Sequence, residues 1–262
     1  MSVYDAMADD FDRRRTLPDG VPETIRHTVL RAGLPPRPRL LDLGAGSGRI
    51  GWPFVEAGDD YTAADLSFAM LRAFANRCPG ARLVQAEGAR LPFADATFDA
   101  VLLVQVLSGV PGWRHLLADA LRILRPGGAL VVGRVVAPED GVDARLKAHL
   151  ATILAEMDTN PYRGTSRQDA LAWLGQTLPD AAIVTVGTWI AQRTPRGFIE
   201  RHGSGVRFSA LPEAIRQAAM RQLITWATEQ FGSIDAVCAE AFRFEMTIHR
   251  FQQGTTPACR TP

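Results

Sequence analysis

Leu40-Leu41-Asp42-Leu43-Gly44-Ala45-Gly46-Ser47-Gly48-Arg49-Ile50 is the stretch whose reading decides the fold. It begins as a short apolar run, the pattern of a strand buried on both faces of a parallel sheet. Glycines follow at alternate positions, and a helical pattern starts near Arg49. Glycine at 44, 46 and 48 allows a tight strand-to-helix turn with no Cβ on the ligand side, so a small molecule can touch backbone. The helix start beyond it offers N–H groups suited to an anionic group such as a carboxylate. A flat, polar, nucleoside-like ligand fits this turn. A dinucleotide fingerprint would need glycine at position 49, where this chain has Arg49.

Bulk composition narrows the choices. At 262 residues the chain can form one large α/β domain, or a core domain plus a substrate-covering insertion, and 47% hydrophobic with 22% charged content is ordinary for a globular protein. A net charge of +1 gives no electrostatic argument for a nucleic-acid partner; Arg13-Arg14-Arg15 is the only basic run. Lys147 is the only lysine, and Asp143 precedes it by one helical turn. That leaves Schiff-base chemistry, a P-loop and a Tyr-x-x-x-Lys pair without their lysine, and a nicotinamide oxidoreductase reading loses ground with them. Cys78, Cys238 and Cys259 are far apart and odd in number, which argues for a reducing, cytoplasmic setting with no zinc site. No stretch reads as a signal peptide or a membrane span.

Three further stretches follow in order. Strand two, near 61–64, ends at Asp65-Leu66-Ser67-Phe68-Ala69-Met70-Leu71. Asp65 stands where an acid at the end of a second strand meets a ribose diol, and one carboxylate accepts from both hydroxyls. Ser67 reads as the N-cap of the next helix. Strand three, near 81–85, leads to Ala86-Glu87-Gly88-Ala89-Arg90-Leu91-Pro92-Phe93. Strand four, 97–105, is apolar enough to be the centre of the sheet. A helix at 115–124 then meets Leu124-Arg125-Pro126-Gly127-Gly128, a sharp turn into strand five.

Together these motifs resemble the class I S-adenosylmethionine-dependent methyltransferases, in their UbiE-like (type 11) small-molecule branch, over about residues 1–135. The resemblance implies S-adenosyl-L-methionine as cofactor. It implies that Asp42, Gly44, Gly46, Gly48 and Asp65 hold it, with Leu66 and Met70 flanking the adenine. Glu87 stands where the family usually has Asp and would accept from the adenine amino group, beside the Gly88 N–H. The opening Tyr4-Asp5-Ala6-Met7-Ala8-Asp9-Asp10-Phe11-Asp12 is similar to the family's lid helix, with Tyr4 at the cofactor and Phe11, in place of a second tyrosine, near the substrate. Gln105 and Ser108, at the carboxyl end of strand four, are expected to face the methionine end of the cofactor and the incoming acceptor, Gln105 as a cofactor contact and Ser108 as a substrate contact. Many relatives carry a His-His pair where this chain has Ser108-Gly109.

The implied fold is a Rossmann-like α/β sheet of seven mostly parallel strands with an antiparallel last strand and helices on both faces. A helical cap is inserted around strand six. We expect lid helices over 1–38, a cofactor-binding core over 39–135, core completion with the substrate cap over 136–251, and a flexible tail over 252–262. Residues 242–249 alternate as a final antiparallel edge strand. The expected reaction is in-line methyl transfer to a small-molecule O, N or C acceptor, with no metal. His202, in a glycine-rich stretch, and Tyr162 are the candidate bases, and Arg163 is a candidate substrate contact. His27, His115 and His249 read as solvated or structural. A non-catalytic S-adenosylmethionine-binding regulator is the alternative, and a homodimer is left open.

Overall fold

The computed structural model describes residues 17–108, 110, 112–159, 167–203 and 206–252. The expected lid helix with Tyr4 and Phe11, the Tyr162–Arg163 segment and residues 253–262 of the tail lie outside that set. After helix α1 (Val21–Leu30), strand β1 (Leu40–Leu43) is buried along its whole length, as a run flanked by two parallel neighbours must be. It pairs with β2 (Tyr61–Asp65) on one side and β4 (Phe98–Val104) on the other. Strand β3 (Arg82–Gln85) extends the sheet beyond β2, and β5 (Leu124–Val136) beyond β4, all parallel. With β6 (Ala181–Arg193) and β7 (Cys238–Arg250), the order is β3-β2-β1-β4-β5-β7-β6. The chain reverses its direction of growth between β1 and β4, which opens a crevice at their carboxyl ends.

Strand β7 runs antiparallel. The Gly127 N–H donates to the Phe251 carbonyl and the Phe251 N–H to the Gly128 carbonyl, while Gly133 lies against Phe244. Pairing therefore steps backward along one strand as it steps forward along the other. The expected edge position of this strand is corrected by the strand order: β7 lies between β5 and β6, and β6 is the edge. Its alternating burial at Phe242, Phe244, Met246 and Ile248 reports one covered face, not an uncovered edge.

Contacts divide the chain into two compact units. The first comprises Met1–Arg134, Thr165–Gly187 and Phe244–Pro262. One face of its sheet, through Leu41, Leu43, Val101, Leu103 and Leu130, packs on α4 (Trp113–Ile123) and α6 (Arg167–Thr177). On the opposite face Tyr61 meets Phe54 of α2 (Trp52–Glu56) and Phe74 of α3 (Phe68–Arg77). Helix α2 begins at Trp52, later than the pattern near Arg49 suggested, because Gly48 at φ 80° still belongs to the turn. Helix α4 stops at Ile123, and Gly127 at φ 82° carries the chain through a shift in register between β4 and β5. There the buried Asp99 accepts from the Arg39 N–H and from the Arg125 guanidinium, so the turn is also fixed by charge.

The second unit comprises Val135–Gly164 and Thr188–Arg243. Helices α5 (Val142–Glu156), α7 (Pro195–Gly203) and α9 (Glu213–Phe231), with the short α8 (Val206–Ser209), enclose their own core of Leu146, Leu150, Ile153, Phe198 and Leu223. Glu240 caps α5, accepting from the Val142 N–H at 2.6 Å. Asp143 pairs with Arg201.

Gly48 offers a direct test of the turn. A Cβ there would lie 2.5 Å from the Phe74 ring, at a backbone angle L-residues avoid. Gly48→Ala is expected to cost about 2–5 kcal/mol, combining the left-handed backbone penalty with overpacking. Thermal denaturation reads this as a clear drop in Tm, and an unchanged Tm would contradict the packing described.

Candidate functional site

The loop after β1 is shaped by two devices. The Gly44 and Ala45 N–H groups both donate to the Ala64 carbonyl, at 2.8 and 3.1 Å, which folds the loop back over the end of β2. Asp65 then clasps it: one carboxylate oxygen accepts from the Gly46 N–H and the other from the Ser67 N–H, each at 2.8 Å. Gly44, at φ 77°, has Val106 where a Cβ would stand, whereas no described residue lies within 4 Å of that position at Gly46. Ser67 also accepts from the Met70 N–H and caps α3, as its position predicts.

These elements wall a cavity of about 380 Å³ at the carboxyl ends of β1, β2, β3 and β4. Asp42, Gly44, Gly46, Asp65, Leu66, Met70, Glu87, Gly88 and Gln105 all line it, together with Ser108. Gly48 does not; it packs on Phe74. Leu66 is exposed and Met70 buried, and the Gln85 amide holds the Leu66 carbonyl at 3.1 Å. Arg122 on α4 fixes the segment after β3: it donates to the carbonyls of Leu91 and Phe93 and pairs with Asp95 and Asp119. Asp119 and Asp95 hold that guanidinium firmly protonated. Gly88 lies close enough to Leu116 that a Cβ would sit 2.8 Å from it.

Two features carry strain or charge. Gln105 adopts φ 58°, rare for a residue with a side chain, and donates its N–H to the Gly133 carbonyl at 2.8 Å. Such backbone clusters at ligand sites, and it turns Gln105 into the cavity wall. Asp42 is 2% exposed and accepts from the Tyr61 hydroxyl at 2.6 Å. Burial pushes its carboxyl up to about 7; the Tyr61 hydrogen bond opposes this and the nearby Asp65 charge reinforces it.

Sequence reasoning passed over Tyr61, because an aromatic at the start of a strand reads as core. It used Arg49 only to exclude a dinucleotide motif, yet Arg49 lines the cavity, beside an apolar wall of Val104, Val106, Val110 and Leu116. His202 is on α7 rather than in a loop, its ring stacked on Phe198 at 3.7 Å and its Nδ1 3.2 Å from the Phe198 carbonyl. Burial lowers its pKa, so the ring is neutral. It belongs to the second unit and is not among the cavity-lining residues. His249 is buried, with Nδ1 at the Leu178 carbonyl, a structural role. Among the described residues no group of three or more His, Cys, Asp or Glu is placed to hold a metal, and no helix is long and apolar enough to cross a membrane.

Residues 41–132 match the model of a methyltransferase domain. The chain is 30% identical over 195 residues to a demethylmenaquinone methyltransferase of Renibacterium salmoninarum, covering 72% of this chain and 81% of that protein. It is 33% identical over 196 residues to one from Thermobifida fusca, covering 69% and 80%. With a third, from Corynebacterium urealyticum, the 33% identity spans 60% of the relative's length and 52% of this chain. Among solved structures, a putative methyltransferase of Bacillus halodurans superposes with TM-score 0.57 at 16% identity, covering 90% of this chain and all of that one. The YcgJ protein of Bacillus subtilis gives 0.56 at 18%, covering 88% and 99%. These two likenesses show the fold.

Asp42 makes a stability prediction that involves no ligand. Its folded pKa, about 7, lies above that of an unfolded aspartate. The stability it contributes is therefore fully present below about pH 4 and lost as pH rises through about 7. Asp42→Asn, which keeps an acceptor for Tyr61, is expected to flatten the apo protein's stability over that window and to raise Tm at pH 8. The same pH slope in both proteins would contradict the buried charge.

Proposed function

The chain belongs to the UbiE-like class I S-adenosylmethionine-dependent methyltransferases, and on that premise we propose which residues hold the cofactor and what kind of acceptor is methylated. It is an enzyme that transfers a methyl group to a small molecule, with S-adenosylmethionine as cofactor. The observation that carries the site assignment is the convergence of Asp42, Asp65 and Glu87, from the ends of three neighbouring strands, on one cavity. That cavity fits the cofactor's chemistry. Among the described residues Gly46 leaves open space where a side chain would stand, and Asp65, which clasps the loop, lines the same cavity.

Asp65 accepts the ribose hydroxyls. Leu66 and Met70 flank the adenine, and Glu87 and the Gly88 N–H meet its polar edge. Asp42 and Gly44 serve the amino-acid end, and Gln105 and Ser108 border the methyl group and acceptor. The bound cofactor supplies an electrophilic methyl on a sulfonium. The chain's own contribution is alignment and exclusion of water, and alignment alone supplies about 7–11 kcal/mol of the barrier in well-oriented reactions.

The acceptor we propose is a hydroquinone-type ring. The relatives are named for a demethylmenaquinone substrate. The lining supports this: among the described residues it contains no His, Lys, Tyr or Cys, and one wall is apolar. A ring with its own acidic hydroxyl becomes nucleophilic by losing that proton to water and needs little from a protein base. Cys78 and Cys238 are free thiols, which supports a reducing, cytoplasmic setting.

Calorimetry with S-adenosylmethionine, followed by transfer of labelled methyl to a demethylated naphthoquinol, tests both parts. Asp65→Ala is expected to weaken binding at least tenfold, the worth of one hydrogen bond to a charged group at about 1.5–3 kcal/mol. Absence of binding by the wild type would contradict the site. Binding with no labelled quinol would contradict the acceptor.

A further inference from the structure

We propose that Tyr61 is a positioning residue of the cofactor site: its hydroxyl, locked by Phe54 and Phe74, orients the Asp42 carboxylate toward the cationic amino-acid end of the ligand. The assignment rests on the functional reading above and adds a residue to it.

The geometry begins with strand register. Leu40 pairs with Tyr61 and Asp42 with Ala63, so Tyr61 lies one same-face step before the partner of Asp42. Its long side chain spans that step and donates to one Asp42 oxygen at 2.6 Å. Two rings restrict its movement: Phe54 stacks on it at 5.1 Å and 21°, and Phe74 lies against it at 6.4 Å, tilted by 52°. Gly51 has no Cβ where one would lie 2.7 Å from Phe74 and 2.9 Å from the tyrosine Cζ. Gly48 makes the matching room for the Phe74 ring. Two glycines of the turn thus serve the clamp on Tyr61.

Tyr61 is the only described donor to Asp42, which also lines the cavity. A buried carboxylate with a single neutral donor is costly unless a cation meets it. Asp65 on β2, Glu87 after β3 and Arg49 in the loop share the cavity lining with it, and of these Asp65 acts on its charge; Cys78, at the end of α3, acts on Tyr61. An ammonium group arriving in the cavity pairs with Asp42 only in its ionised form, and Tyr61 favours that form. Burial and Asp65 push the carboxyl toward neutrality, so the hydrogen bond matters most near neutral pH.

The test is calorimetry of wild type and Tyr61→Phe between pH 5.5 and 8.5, using S-adenosylhomocysteine, which has the ammonium, and 5′-methylthioadenosine, which lacks it. For S-adenosylhomocysteine the wild type should bind more tightly as pH rises through about 7. Tyr61→Phe should move that midpoint to higher pH and weaken binding about tenfold at pH 7, the loss of one charge-assisted hydrogen bond. Asp42→Asn should flatten the profile. Methylthioadenosine should bind both proteins alike at every pH. Equal profiles for wild type and Tyr61→Phe, or an equal loss for both nucleosides, would overturn the assignment and leave the functional reading standing. No binding of either nucleoside by the wild type would overturn both. A thermal melt of apo Tyr61→Phe gives an independent readout: the pH at which stability falls should move upward with Asp42, and an unmoved midpoint would also overturn the proposal.

Discussion

The clasp of Asp65 on the Gly46 and Ser67 N–H groups is the interaction on which the rest depends. It ties the loop after β1 to the start of α3 through one carboxylate at the end of β2. Three elements that arrive from different parts of the chain are thereby held in one geometry. Each bond is charge-assisted, and a backbone N–H cannot rotate away as a side-chain donor can. The cavity inherits this rigidity, because its floor is the same loop and its rim the same strand end.

Around that clasp the glycines divide their labour. Gly44 makes room for Val106, Gly48 for Phe74, and Gly46 meets none of the described residues. Only Gly46 has the form expected of a glycine kept clear for a ligand. The other two serve close packing that holds the loop in place, and through Phe74 the packing reaches Tyr61 and Asp42. A buried carboxylate at the floor of a cavity costs stability, a common property of sites built to bind charge.

Much of this was legible in the amino-acid order. The Asp-x-Gly-x-Gly-x-Gly turn, Asp65 and Glu87 mark strand ends by local pattern, and local pattern survives folding. The Pro126-Gly127-Gly128 turn is legible for the same reason. The order of the last two strands was not, since β7 inserts beside β5 through pairing more than a hundred residues apart. Tyr61 was missed because its partner is set by register across two strands, and no spacing along the chain encodes that. His202 looked like a loop residue from its neighbouring glycines, yet the helix Pro195–Gly203 carries it against Phe198.

The central claim, that strand-end carboxylates meet a nucleoside in this cavity, is tested most directly by a crystal structure with S-adenosylhomocysteine. The account predicts ribose hydroxyls within hydrogen-bonding distance of Asp65 and the adenine between Leu66 and Met70. Nucleoside density elsewhere, or ribose turned away from Asp65, would contradict it.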